Sequence, residues 1–137
     1  MMRYVGGVLR LLAAGSLFVA TVAQAKHPIT ERARRNVDTR ITEDFRIDDS
    51  CHSVGDPPTA VVLVPPRHGD LRQEVVHEAL SAARLHTDQK FACEGKPIYI
   101  RYIYYKSRGS YRGPDSFKIE WNEAGERTQS DYDLQVR

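Results

Sequence analysis

Short apolar runs that end at proline or glycine place the tightest limit on what this chain can form. The clearest run is TAVVLV at Thr59–Val64, with one proline pair before it at residues 57–58 and another after it at 65–66. β-branched residues favour extended backbone, and proline cannot continue a hydrogen-bonded ladder, so the run predicts a strand with fixed ends. Because it is apolar throughout, we predict that this strand is buried.

Other segments also have the residue patterns of strands. Residues 97–105, PIYIRYIYY, carry apolar side chains on both faces, which predicts a central strand. The alternating segments 117–121 and 130–136 flank the turn NEAGE, where Gly125 can adopt a positive φ, and they predict a hairpin. FRI at 45–47 is a candidate for the opening strand. Residues 71–85 fit either a helix or strands, and the neighbouring elements favour strands.

The first 25 residues resemble an export signal. Arg3 and Arg10 precede an apolar stretch at 11–22, and Ala23 and Ala25 form a small-residue cleavage site. Twelve apolar residues are too few to span a bilayer about 30 Å thick. We therefore predict a signal peptide at 1–25, a mature chain that begins near Lys26, no membrane span, and a periplasmic or secreted location. The alternative is a retained N-terminal anchor.

The charge balance excludes a general affinity for nucleic acid. The chain has 20 Lys and Arg against 18 Asp and Glu. Both Arg3 and Arg10 belong to the signal, so the mature chain has 18 residues of each sign. Nucleic-acid binding typically requires a basic domain or a basic stripe. Residues 26–44 are polar and basic and predict a flexible arm, with a short helix near 30–37 as an option. The remaining residues, 45–137, make one domain.

Two cysteines, Cys51 and Cys93, suit an exported chain, because thiols oxidise outside the cytoplasm. Neither lies in a C-x-x-C motif or beside histidines with metal-ligand spacing. We predict one disulfide between them. A reactive or metal-binding thiol pair is the alternative.

The stretch YRGPDSF, residues 111–117, predicts a corner that leads into an aromatic strand. Gly113 gives the backbone freedom to bend, and the proline that follows it stops the preceding strand. Asp115 can accept hydrogen bonds from turn N–H groups. Tyr111 can cover the edge of the core while its hydroxyl holds a backbone carbonyl, and Phe117 starts the alternating segment.

These motifs also carry a family resemblance. PPRHGDL, then YIYYKSRGSYRGPDSFKIEW, then YDLQV resemble bacterial immunoglobulin-like and cadherin-like repeats, whose pattern runs P-x-H-G, Y-x-P, Y-x-G-x-D-x-F-x-Y and V-x-V. The resemblance covers about residues 61–136. The chain is also similar to small exported single-domain proteins of alphaproteobacteria that contain a cysteine pair. The resemblance implies an all-β fold, an antiparallel immunoglobulin-like β-sandwich.

One segment is a candidate ligand surface. Residues 96–112 contain no acid and interleave cations with tyrosines, a composition that suits anionic sugars. The alternative is an ordinary central strand whose cations pair with acids on neighbouring strands. We refer to six candidate residues as the Tyr/Arg surface: Arg101, Tyr102, Tyr104, Lys106, Arg108 and Arg112.

Motifs of known catalytic chemistry are absent from the sequence. It has no G-x-S-x-G, no H-E-x-x-H and no glycine-rich phosphate loop, and its five histidines are scattered. We predict no enzyme, no metal site and no cofactor. The expected function is a non-catalytic module with a binding or structural role in the cell envelope, whose partner is an envelope protein or an anionic polysaccharide. The alternatives are a binder of anionic glycans and an enzyme inhibitor.

Overall fold

The computed structural model describes residues 27–81 and 93–137, which form two packed β-sheets. Within these residues every regular element is a strand, so the predicted all-β sandwich is confirmed. The predicted signal peptide and the end of the ambiguous segment, from residue 82, lie outside the described residues. The strands are β1 Ile29–Ala33, β2 Thr39–Asp44, β3 Thr59–Val64, β4 Gly69–Ala79, β5 Pro97–Ser107, β6 Gly113–Glu123 and β7 Glu126–Val136.

One sheet has four strands in the order β1-β7-β6-β3, and the other has three in the order β2-β5-β4. All neighbours are antiparallel except β1 and β7, which run parallel. β6 and β7 form the predicted hairpin, in which Glu123 pairs with Glu126. The two residues between them, Ala124 at φ 50° and Gly125 at φ 91°, have the positive φ values of a type I′ turn.

The core between the sheets comes from the alternation of β6 and β7. Phe117, Ile119 and Trp121 point inward from β6, and the Phe117 ring stacks on Tyr132 of β7 with 4.8 Å between centroids. Burial of large apolar side chains is the main favourable term in folding, so this layer stabilises the packing of the two sheets. The buried members are Ala33, Ile41, Ala60, Ile103, Tyr105, Phe117, Ile119, Trp121, Tyr132, Leu134 and Val136.

β5 is the central strand of the smaller sheet, as predicted, and both of its faces are buried. Ile103 and Tyr105 face the four-stranded sheet. On the opposite face, Ile98, Ile100 and Tyr102 belong to a second cluster with Leu80 and Cys93. Phe45, Ile47 and Cys51 pack against this cluster from the segment after β2. The second cluster is thus a third layer outside the smaller sheet.

The segment 26–44 is not the flexible arm that the sequence predicted. Ile29–Ala33 and Thr39–Asp44 are strands, and no helix forms at 30–37. Their charged side chains stay at the surface while Ala33 and Ile41 are buried, and backbone ladders to β7 and β5 hold them. FRI at 45–47 follows β2 and is not a strand itself. The sandwich therefore begins at β1 instead of residue 45.

β3 is a strand, but the prediction that it is buried is wrong. It lies at the edge of its sheet and pairs only with β6. Ala60 alone is buried, whereas Val61, Val62, Leu63 and Val64 are 53%, 38%, 40% and 51% exposed. The ambiguous segment is extended up to Ala79, as favoured, because it pairs along its whole length with β5.

Gly69 at the start of β4 leaves room for the Tyr105 ring. A Cβ at this position would collide with that ring and would lie 2.7 Å from the Lys106 carbonyl oxygen. We expect Gly69→Ala to lower the free energy of unfolding by about 2 kcal/mol, because a buried tyrosine and its strand must shift. Urea unfolding measures this loss. Val75→Ala is the control for an alanine at an exposed position of the same strand, and an equal loss there would contradict the steric cause.

Candidate functional site

The predicted corner is organised by Asp115, a carboxylate on β6 that is only 7% exposed. Its Oδ1 accepts hydrogen bonds from the backbone N–H groups of Arg67 at 3.0 Å and Ser116 at 2.9 Å. Its Oδ2 accepts from the His68 N–H at 3.0 Å and from the Tyr105 hydroxyl at 2.9 Å. One carboxylate thus joins β6, β5 and the turn between β3 and β4.

Two aromatic side chains close this corner. Tyr111 donates its hydroxyl hydrogen to the Pro114 carbonyl at 2.6 Å, and the imidazole of His68 stacks on its ring at 3.9 Å between centroids. Gly113 has φ 128°, in the region that favours glycine. Burial and the neighbouring Asp115 carboxylate raise the pKa of Tyr105 above its usual range, so its hydroxyl stays protonated and donates. The corner therefore has a structural role, because it joins two strands and a turn through buried hydrogen bonds.

A groove of about 630 Å³ crosses the outer face of the four-stranded sheet beside this corner. Thr30 of β1, Asp133 of β7 and Ser116 of β6 are register neighbours on its floor, and Val64 lies at its β3 end. The groove therefore combines hydroxyl and carboxylate groups with an apolar end.

The structure divides the Tyr/Arg surface between two faces of β5. Arg101 lies on the same face as Ile103 and donates its Nε–H to the Pro58 carbonyl at 2.7 Å. Tyr102 is buried on the other face and hydrogen-bonds Glu78. Arg108, beyond the strand, forms an ion pair with Asp70 at 2.6 Å. The six residues do not form one continuous cationic face.

Within this set Tyr104 belongs to a pair of cation–π contacts that the sequence did not reveal. The Arg72 guanidinium of β4 lies over the Tyr104 ring at 4.2 Å, and the Arg40 guanidinium of β2 lies over Tyr102 at 4.6 Å. Arg72 also pairs with Glu74 at 2.8 Å. The arginines come from strands on either side of β5, so only the pairing register could have identified them.

Lys106 and Arg112 are exposed and lie on either side of Arg108 along the chain. Lys106 is opposite Asp70 in the β4–β5 register. The hydrogen bond from Arg108 holds the pKa of the Asp70 carboxyl below its usual range, so this acid is charged beside Arg108 and opposite Lys106. An acid from β4 therefore lies among the cations of this segment.

β3 differs from the other strands that the structure describes. Its sequence, TAVVLV, contains no charged residue, whereas each of the other six strands contains at least one. Charged side chains, bulges and short length normally protect sheet edges from other chains. β3 has a bulge between Val62 and Val64, but four consecutive exposed aliphatic side chains leave it open to contact. β3 is therefore an edge strand without the charged residues that usually protect such edges.

Cys51 and Cys93 form the predicted disulfide, with 5.2 Å between their Cα atoms. Neither cysteine of the chain is free. The bond joins the segment after β2 to the segment before β5, and both sulfur-bearing residues contact the second cluster. The disulfide therefore holds the third layer on β5.

The described part of the chain, residues 27–81 and 93–137, contains no group of three or more His, Cys, Asp or Glu side chains placed to hold a metal ion. None of its elements is a helix long and apolar enough to cross a membrane.

No family model, curated protein or solved structure matches this chain. The resemblance to bacterial immunoglobulin-like and cadherin-like repeats therefore stays a prediction.

Proposed function

We propose that this chain is an exported, non-catalytic immunoglobulin-like domain that acts as a binding module in the cell envelope, with β3 as its contact strand. The observation that carries the proposal is the exposure of four consecutive aliphatic residues, 61–64, on an uncharged sheet edge. Apolar groups exposed in a row lose contact with water when a partner covers them, and such patches mark interaction sites.

The strand order supports the immunoglobulin-like assignment. Seven-stranded immunoglobulin domains place their third, sixth and seventh strands in one sheet and their second, fifth and fourth in the other. The present chain has β3, β6 and β7 in one sheet and β2, β5 and β4 in the other, with β1 beside β7. The hydroxyl of Tyr111 donates to the backbone carbonyl of Pro114 at the start of β6, which is comparable to the tyrosine corner of that fold.

Export is supported by the N-terminal sequence and by the disulfide. Residues 1–25 combine two arginines, an apolar stretch and an alanine pair at the cleavage position. The Cys51–Cys93 bond would be reduced by the glutathione and thioredoxin systems of the cytoplasm, and it is stable in the periplasm or outside the cell.

A non-catalytic role is supported by the structural contacts of one buried acid and two histidines. Asp115 accepts hydrogen bonds from four donors, and none of these donors is a base. The ring of His68 is stacked on Tyr111, and that of His77 lies against Tyr99 at 4.5 Å. These side chains stabilise the fold.

The alternative function, binding of anionic glycans by the Tyr/Arg surface, has less support. The residues of that surface point to both faces of β5, and Arg101 and Arg108 already bind a carbonyl and a carboxylate of the same chain. What favours it is the half-buried Tyr104 ring beneath Arg72, since sugars stack on such rings.

A photocrosslinking experiment tests β3 as the contact strand. A photoreactive phenylalanine analogue would replace Val61, and the exported protein would be irradiated in intact cells. We expect a defined crosslinked product, because Val61 is 53% exposed at the proposed contact. Val37, 48% exposed in the β1–β2 turn, is the matched control and should give none.

A second change makes the test specific. Adding Leu63→Glu to the Val61 probe places a charge in the same strand and should remove the product, since a partner would have to bury that charge. Absence of any product at Val61, or equal products at Val61 and Val37, would contradict the proposal.

A further inference from the structure

We propose that the partner of β3 is a second copy of this chain, and that two copies join antiparallel through their β3 strands about a two-fold axis. The two four-stranded sheets then become one continuous eight-stranded sheet. This inference rests on the proposed function, because it assigns an occupant to the same contact strand.

The edge of β3 is open over a short and defined length. β6 occupies one side of the strand, and on the other side the Ala60 carbonyl accepts a hydrogen bond from Gln73 Nε2 of β4 at 2.8 Å. The open stretch is therefore residues 61–64. Its unpaired backbone groups can extend a ladder, as happens when a strand adds to a sheet edge.

The uncharged sequence of β3 suits self-association. In a two-fold antiparallel pair the residues nearest the axis lie close to their own counterparts in the other copy, so a charge near the centre of the strand would face its own sign. β3 contains no charge, and β-branched side chains opposite one another are favourable cross-strand pairs. The same surface on both copies meets the requirement of an isologous contact.

The net charge of the mature chain does not oppose association. Residues 26–137 contain 18 basic and 18 acidic residues. Beside β3, Lys118 pairs with Asp131 at 3.0 Å and Glu120 lies 3.9 Å from Arg127, so the neighbouring rows are locally balanced. Proteins near zero net charge associate more readily than strongly charged ones.

The same features limit both the strength and the size of the assembly. A strand of six residues with four half-exposed side chains offers less than the standard interface of about 800 Å² per partner, so we expect a dissociation constant of about 10–100 μM. Proline pairs at 57–58 and 65–66 end the ladder at both sides. The other strands carry charges, so growth stops at two copies.

Sedimentation equilibrium of the purified mature, oxidised protein tests the inference. Between about 1 μM and about 1 mM the weight-average mass should rise from one copy towards two. Leu63→Glu should weaken the dimer by at least about tenfold, because two buried charges would meet in the ladder. Val37→Glu adds the same charge at an exposed site and should leave the dissociation constant unchanged.

A mass of one copy up to about 1 mM would overturn the inference, and so would a dimer that Leu63→Glu does not weaken. Circular dichroism and melting temperature verify that Leu63→Glu is folded, and Val61→Glu provides a second variant at the same edge. A monomeric protein that still gives a Val61 crosslink to another protein would retain the proposed function and exclude the second copy. If the Val61 probe gives no crosslink and the protein stays monomeric, both the proposed function and the second copy are excluded.

Discussion

Asp115→Ala is expected to lower the free energy of unfolding by about 4 kcal/mol, because it removes the shared acceptor of four hydrogen bonds. Three of the donors are backbone N–H groups at the corner, and the fourth is the buried Tyr105 hydroxyl. Without the carboxylate these groups lie in a partly buried site with no acceptor, and each unmade bond costs about 1–3 kcal/mol. Urea unfolding with the disulfide intact, followed by Trp121 fluorescence, measures the loss.

Controls separate the buried carboxylate from a general effect of charge. Asp133→Asn removes an acid from the exposed face of the adjacent strand and should change stability by less than about 0.5 kcal/mol. Asp115→Asn should remain costly, since an amide turns two donors towards N–H groups that need an acceptor. Tyr105→Phe should cost about 1–1.5 kcal/mol alone and almost nothing in the Asp115→Ala background. A loss below about 1 kcal/mol for Asp115→Ala would show that water replaces the carboxylate at the corner.

Removal of the disulfide should have an effect of similar size. The bond joins positions separated by 42 residues, and releasing a loop of this length costs about 4 kcal/mol on the chain-entropy model. A double Cys51→Ala and Cys93→Ala variant should lose this amount in urea unfolding. The wild-type protein in a reductant is the matched comparison, because it breaks the same bond without changing the sequence.

The two layers should respond differently to this change. The second cluster, with Ile98 and Ile100, is covered by the segments that the disulfide joins, so it should expose apolar surface and bind a hydrophobic dye. Trp121 belongs to the core between the sheets, so its native emission should be retained. Two results would contradict the assignment of the disulfide to the third layer. One is equal stability of the oxidised and the double-alanine proteins, and the other is dye binding accompanied by loss of the native Trp121 emission.

The sequence was most informative where side chains alternate cleanly. β6 and β7 have one apolar face each, and this period of two determines which side chains point into the core. β5 was recognisable as central because both of its faces are apolar, and its two faces indeed contact two different clusters. The cysteine pair was predictable because the chain has only two cysteines.

Three features were not predictable, each for a physical reason. β1 and β2 are polar strands that depend on backbone ladders, to which composition is a poor guide. An apolar run does not reveal whether a strand is central or at an edge, so β3 was assigned to the interior. The partners of the Tyr/Arg surface could not be named from the sequence, because Arg101 contacts the Pro58 carbonyl and Arg108 contacts Asp70, and both partners come from segments whose position beside β5 only the fold reveals.

The parallel pairing of β1 with β7 gives the domain a defined mechanical response. Ile29 is level with Tyr132 and Ala33 with Val136, so tension applied before β1 and after β7 pulls the two strands in opposite directions along their length. Such tension shears all the ladder bonds between them at once, whereas an antiparallel pair held at adjacent ends would open one bond at a time. The described fold is therefore arranged to resist stretching along the chain.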